Sequence, residues 1–195
     1  MKNKALFIDR DGVINKRPPE HDYVKSWEEF SFIPEVEKLI LTANRKGYLV
    51  FVVSNQRGIS RGIVKKETVE EINAKMVETL SLKGARIEKV YYCPHDIFEN
   101  CSCRKPKPGM VLSASKEYNL NIRKSILIGD DSVDIEAGRV AGCRTVYYYS
   151  GGKFDMGIFK KVEKRKILMI CPFARPNLGG VESHLDKLLD FLAKK

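Results

Sequence analysis

Short apolar runs alternate with stretches of helical periodicity along this chain. The runs at 5–8, 48–53, 89–92, 125–128 and 144–149 are four to six residues long and bounded by polar or glycine breaks. Their β-branched and aromatic side chains predict buried strands. Val36, Leu39, Ile40 and Ala43 recur at helical spacing behind Pro34 and stop at Gly47. That pattern predicts a helix with proline in its first turn. Val69, Ile72, Met76 and Leu80 mark a second helix ending near Gly84, and 110–118 and 133–141 give two more. Alternating strands and helices predict an α/β fold, a parallel sheet with helices on both faces. Ligands gather at the carboxyl ends of such strands.

A lysine-rich stretch poor in packing residues follows Gly151-Gly152. It divides the chain into a domain over 1–152, a linker over 153–165 and a segment over 166–195 that opens with another strand at 166–171. Of the 195 residues, 43% are hydrophobic and 31% charged, which excludes a wholly disordered chain. The longest apolar runs fall well short of the roughly 18–20 residues of a membrane span. The apolar stretch at 5–8 stops at Asp9, unlike a signal peptide. A soluble cytoplasmic protein with no membrane partner is expected.

The net charge of +10 admits nucleic acid, an anionic surface or a phosphorylated substrate. Nine bases against four acids in 160–195 supply half of that excess. No long block of like charge occurs, so a solvated basic surface accounts for it equally well.

Five cysteines are present, and Cys93, Cys101 and Cys103 crowd around His95. In an intracellular chain such clustering reads as metal binding before disulfides. Cys93-x-His95 and Cys101-x-Cys103 each place two ligands on one side of an extended segment. Three thiolates and an imidazole fit a closed, structural Zn2+ site, which would pin the loop carrying Arg104 and Lys105. Cys143 and Cys171 read as ordinary buried cysteines.

Asp9 and Asp11 follow the first strand, and two carboxylates that close call for a proton or a hard cation such as Mg2+. Ser54-Asn55-Gln56-Arg57-Gly58 follows the second and suits phosphate oxygens, or a simple turn. Gly129-Asp130-Asp131 follows the fourth, with Asp134 one helical turn on. Asp131 or Ser132 serves equally as a helix N-cap. Prolines at 106 and 108 stiffen the approach to a helix near Gly109, holding Arg104 and Lys105 in place.

The order and spacing of Asp9-x-Asp11-Gly12, Ser54-Asn55-Gln56, Lys105 and Gly129-Asp130-Asp131-x-x-Asp134 resemble the four motifs of the haloacid dehalogenase (HAD) superfamily. Residues 7–15, 54–62 and Cys-Arg-Lys-Pro-x-Pro-Gly-Met narrow the resemblance to D-glycero-D-manno-heptose-1,7-bisphosphate phosphatases and their histidinol-phosphate phosphatase relatives. It covers about residues 4–150.

The resemblance implies a HAD-like Rossmannoid fold with a small zinc-binding loop and Mg2+-dependent phosphoryl transfer through an aspartyl-phosphate. Asp9 would be the nucleophile and Asp11 the general acid and base. Ser54 and Lys105 would screen charge. Mg2+ would be held by Asp9, Asp130 and the backbone carbonyl of Asp11, and Zn2+ by Cys93, His95, Cys101 and Cys103. Arg10, Asn55, Gln56, Arg57 and Arg104 would bind substrate, with Arg104 at its second phosphate. Family members often carry Lys or Arg at position 131; Asp131 removes that phosphate contact or supports the metal.

The loop at 16–30 lacks periodicity, and in this family it closes over the substrate, with Arg17 and Tyr23 as sugar or phosphate contacts. The expected partner is a phosphorylated heptose in nucleotide-heptose and surface-glycan synthesis, with no nucleic acid, and the chain is expected to be a monomer. The alternatives are a histidinol-phosphate phosphatase, a DNA 3′-phosphatase sharing the Asn-Gln-x-Gly-Ile element, and a non-catalytic zinc-stabilised module.

Residues 166–195 resemble something else. The strand, Gly179-Gly180 and the helical pattern of Val181, Leu185, Leu188, Leu189 and Leu192 look like the opening of a GT-B family 4 glycosyltransferase. This implies a fragment of a phosphatase–glycosyltransferase fusion; the alternative is a βα unit of the same fold.

Overall fold

The computed structural model describes residues 2–19, 22–149 and 151–159, together with the backbone of 168–170. Strands β1 (Lys4–Ile8), β2 (Tyr48–Asn55), β3 (Lys89–Cys93), β4 (Ile126–Gly129), β5 (Arg144–Tyr148) and β6 (Leu168–Ile170) form one sheet in the order β3-β2-β1-β4-β5-β6. All pairings are parallel. Helices α1 (Val36–Arg45), α2 (Lys66–Leu82), α3 (Gly109–Glu117) and α4 (Ser132–Ala141) make the crossovers.

Alternation along the strands decides which helix covers which face. Leu6 and Ile8 of β1 join Val50 and Val52 of β2 in one core, against Leu39 and Ile40 of α1 and Ile72 and Met76 of α2. Ala5 and Phe7 point the other way and join Phe51 and Val53 in a second core, with Met110, Val111 and Ala114 of α3. Phe7 and Phe51 stack at 5.6 Å between centroids. The chain reverses its winding between β1 and β4, the strand pair flanking the crevice where ligands of such sheets bind.

The five strands and four helices predicted within residues 1–152 all form, with shifted ends; the helix expected over 181–194 lies outside the described residues. β2 runs two residues past its apolar stretch, because Ser54 and Asn55 still pair with Tyr92 and Cys93 of β3. α1 starts at Val36, since Glu35 sits in the left-handed region at φ 66° and breaks the turn begun at Pro34. The strand expected at 166–171 is present as β6, paired in parallel with Val146–Tyr148 at the sheet edge. Residues 171–195, the remainder of the glycosyltransferase-like segment, lie outside the described residues, as does Cys171. Among the described residues, no helix is long and apolar enough to cross a membrane.

Candidate active site

β1 and β4 end within a residue of one another and β2 runs on to Asn55 beside them: Ile8 pairs with Val52 on one side and Ile128 on the other. The residues that follow therefore converge. Asp9, Asp130 and Asp134 each offer a carboxylate oxygen, all within 4.8 Å of one another, and all three residues are buried. Two glycines make room. Gly12, at φ 105°, lies so close to the Asp130 carboxylate that a Cβ would overlap it. A Cβ on Gly129 would overlap the Asp134 side chain, so glycine there lets Asp134 fold back under the end of β4.

Lys105 enters from the loop before α3. Its Nζ lies 2.7 Å from Asp9 Oδ1 and 2.6 Å from Asp134 Oδ1, and donates to the Val53 carbonyl at 2.7 Å. Burial works against its charge, but Asp134 and Asp9 more than offset this and raise its pKa. Burial, with a smaller push from Asp134 and Asp11, raises Asp9 to about 7 despite Lys105. Asp130 is raised as well, by burial and then by Asp9, against the pull of Arg17. Each acid thus gains strongly from added positive charge.

Asn55 positions Lys105 from behind: its Nδ2 donates to the Lys105 carbonyl at 3.1 Å and its Oδ1 accepts from the Lys105 amide at 3.0 Å.

Asp11 lies outside the acid cluster. Its side chain is held by Arg10 at 3.0 Å, by Asn15 Nδ2 at 2.9 Å and by Gln56 Nε2 at 2.8 Å. Burial opposes its ionisation, yet Arg10 and these hydrogen bonds leave its pKa below the ordinary carboxylate value. Arg10 is itself buried, donating to Asn73 Oδ1 of α2 at 3.0 Å and to Gln56 Oε1 at 3.1 Å. Gln56 Nε2 also donates to Ser54 Oγ at 2.8 Å.

Arg17 Nη2 donates to Asp130 Oδ1 at 2.9 Å, and its Nη1 is 3.7 Å from Asp131 Oδ2. Asp131 is the N-cap of α4: its Oδ1 accepts from the Val133 amide while Asp134 Oδ2 accepts from the Asp131 amide, a reciprocal capping box.

A cavity of about 680 Å³ opens above the acids, lined by Asp9, Asp11, Ser54, Asn55 and Lys105 on its floor. Arg17, Tyr23, Arg104 and Asp131 form its walls. The ring of Tyr23 packs against Gly58. Arg10, Gln56 and Arg57 do not line the cavity: the first two are spent on Asp11, and Arg57 pairs with Asp96 at 2.9 Å.

Asn15 and Asn73, and Asp134 as a member of the acid cluster, are site residues not expected from the sequence. Asn73 did leave a signal, as an amide beside Ile72 and Met76 on the apolar face of α2.

Beside the cavity, Cys93 Sγ, His95 Nδ1, Cys101 Sγ and Cys103 Sγ come together with separations of 3.3–3.6 Å. A tetrahedral Zn2+ with ordinary bond lengths implies ligand separations of about 3.5–3.8 Å. The donor set therefore fits such an ion. Gln56 N donates to the Cys93 carbonyl at 2.8 Å, tying this cluster to the end of β2. Arg104 Nη1 donates to the His95 carbonyl at 3.3 Å.

A family model described as HAD-hydrolase-like matches residues 102–167. The D-glycero-alpha-D-manno-heptose-1,7-bisphosphate 7-phosphatase of Campylobacter jejuni is 37% identical over 169 residues, 87% of this chain and 95% of its own. The beta-anomer 7-phosphatase of Vibrio cholerae is 38% identical over 78% of this chain and 84% of its own. The crystal structure of the D,D-heptose 1,7-bisphosphate phosphatase from B. bronchiseptica, complexed with magnesium and phosphate, superposes with a TM-score of 0.69 at 30% identity. It covers 74% of this chain and 79% of that one.

Proposed function

The chain belongs to the HAD-like phosphatases, in the family of the heptose-1,7-bisphosphate 7-phosphatases, and we propose that it removes the C7 phosphate of D-glycero-D-manno-heptose 1,7-bisphosphate. One observation carries the reading. Asp9 lies at the cavity floor with Lys105 2.7 Å away and two further carboxylates beside it.

Asp9 is the nucleophile. One of its oxygens bonds to phosphorus as the bond from phosphorus to the C7 oxygen breaks. Asp11, held ionised by Arg10 in the free chain, takes up a proton as the anionic substrate binds and gives it to that leaving oxygen. Asp11, now ionised, takes a proton from water, which attacks the phosphorus and frees Asp9 and inorganic phosphate. Lys105 and Ser54 face the phosphoryl group and lower the repulsion between two anions. Asn15 and Gln56 fix the direction of the Asp11 carboxylate.

Mg2+ suits the oxygens of Asp9, Asp130 and the Asp11 backbone carbonyl, and when bound it supplies positive charge at the phosphoryl oxygens. The magnesium and phosphate of the B. bronchiseptica structure support this assignment. Zn2+ at Cys93, His95, Cys101 and Cys103 closes the loop that presents Arg104 and Lys105. Arg104 and Tyr23 recognise the sugar and its second phosphate. A cytoplasmic monomer serving surface-glycan synthesis belongs to the same reading.

Phosphate release from both heptose bisphosphate anomers and from histidinol phosphate tests it. The expected result is turnover of heptose bisphosphate with the 1-phosphate retained, and none in Asp9→Asn. Preferential turnover of histidinol phosphate overturns the substrate, and full activity of Asp9→Asn overturns the mechanism.

A further inference from the structure

Lys105 serves two acids of the cluster, Asp9 and Asp134. The third, Asp130, takes its counter-charge from Arg17. These two cations differ in kind. Lys105 is buried and fastened at its backbone by Asn55, whereas the Arg17 side chain is 44% exposed and sits on a loop that also lines the cavity.

Arg17 holds Oδ1 of Asp130, while Oδ2 is packed against Gly12. A cation that bonds to Asp130 together with Asp9 competes with the guanidinium for the same carboxylate. Arg17 also reaches Asp131, its Nη1 3.7 Å from Oδ2, so a guanidinium drawn off Asp130 keeps an anionic partner at the cavity wall. A guanidinium released at the cavity wall presents a planar fork that matches a phosphate.

We propose that Arg17 is a resident counter-cation of the acid cluster, displaced from Asp130 by the divalent cation and redeployed to a phosphate of the substrate, so that cation binding precedes productive substrate binding. The proposal rests on the phosphatase reading above and assigns Arg17 two successive partners.

Two measurements on the zinc-loaded full chain test it. The first is Mg2+ affinity by calorimetry without substrate. Loss of an ionic hydrogen bond that competes with the metal is expected to make Arg17→Gln bind Mg2+ roughly tenfold more tightly than wild type. Arg17→Lys keeps the charge without the fork and is expected to bind more tightly than wild type too. The second is the rate at which phenylglyoxal modifies Arg17, followed by mass spectrometry. Mg2+ is expected to raise that rate several-fold, and inorganic phosphate added with Mg2+ to lower it again.

Equal or weaker Mg2+ binding by Arg17→Gln, wild-type affinity in Arg17→Lys, or an Arg17 no more reactive with Mg2+ overturns the proposal while leaving the phosphatase reading intact. A wild-type chain that binds no Mg2+ overturns both.

Discussion

Lys105 and Asp9, 96 positions apart in the chain, meet at 2.7 Å at the carboxyl edge of the sheet. The same ammonium touches Asp134, so a single side chain bridges an acid after β1 and one in the first turn of α4. Lys105→Met removes that charge while keeping much of the volume. Phosphate turnover is expected to fall by roughly 10²–10³-fold, as when a group stabilising transition-state charge is deleted. Leaving two buried carboxylates without this partner is expected to cost about 3–5 kcal/mol of stability, readable by urea denaturation.

The raised pKa of Asp9 gives the metal-free chain a pH signature. Its carboxyl titrates near 3.8 when unfolded and at about 7 when folded. Between those values the folded state binds the extra proton, so its contribution to stability is complete below the lower value and fades as pH rises toward 7. Asp9→Asn, which cannot ionise, is therefore expected to gain in Tm relative to wild type from pH 4 to 7 and to hold that advantage at pH 8. Mg2+ favours the ionised carboxylate and is expected to stabilise wild type more at pH 8 than at pH 5.

Asn55→Ala deletes both hydrogen bonds to the Lys105 backbone without touching its ammonium. Two such bonds are worth about 1–3 kcal/mol together. If they fix where Nζ points, kcat falls roughly tenfold or more while the fold persists. Steady-state kinetics beside a circular dichroism spectrum checks this.

The thiol cluster should yield its metal to chelation. Slow release of one zinc per chain to a strong chelator is expected, with a fall in Tm and in kcat/KM together, because Cys101 and Cys103 directly precede Arg104 and Lys105. Cys103→Ser is expected to release its metal faster than wild type.

The local features of this protein were legible in its sequence. Strands and helices announced themselves through periodicity, and Asp9, Ser54 and Asp130 stood out because they sit at the ends of apolar runs. The Cys/His cluster is legible because it is local: Cys93 meets Cys101, and His95 meets Cys103, each only eight positions apart in the sequence.

What was not legible depends on which side chains face each other across the fold. Arg10 finds Asn73 63 positions away on α2, and Arg17 finds Asp130 113 positions away. No spacing rule encodes either meeting. Asp131 in the sequence suits a cap or a metal support alike, and only the fold shows its side chain accepting from the Val133 amide. Asn55 read as a phosphate contact because it follows Ser54, yet its side chain is occupied by the Lys105 backbone.

Trapping the phosphoryl group on the chain is the most direct test of all this. Asp11→Asn removes the base that would direct water to the acyl-phosphate, so acid quenching of this variant with Mg2+ and heptose bisphosphate should arrest the reaction midway. Peptide mass spectrometry is expected to find one phosphoryl group, on Asp9. A chain that releases phosphate while no adduct ever forms there, or one that carries it on another residue, would contradict the account.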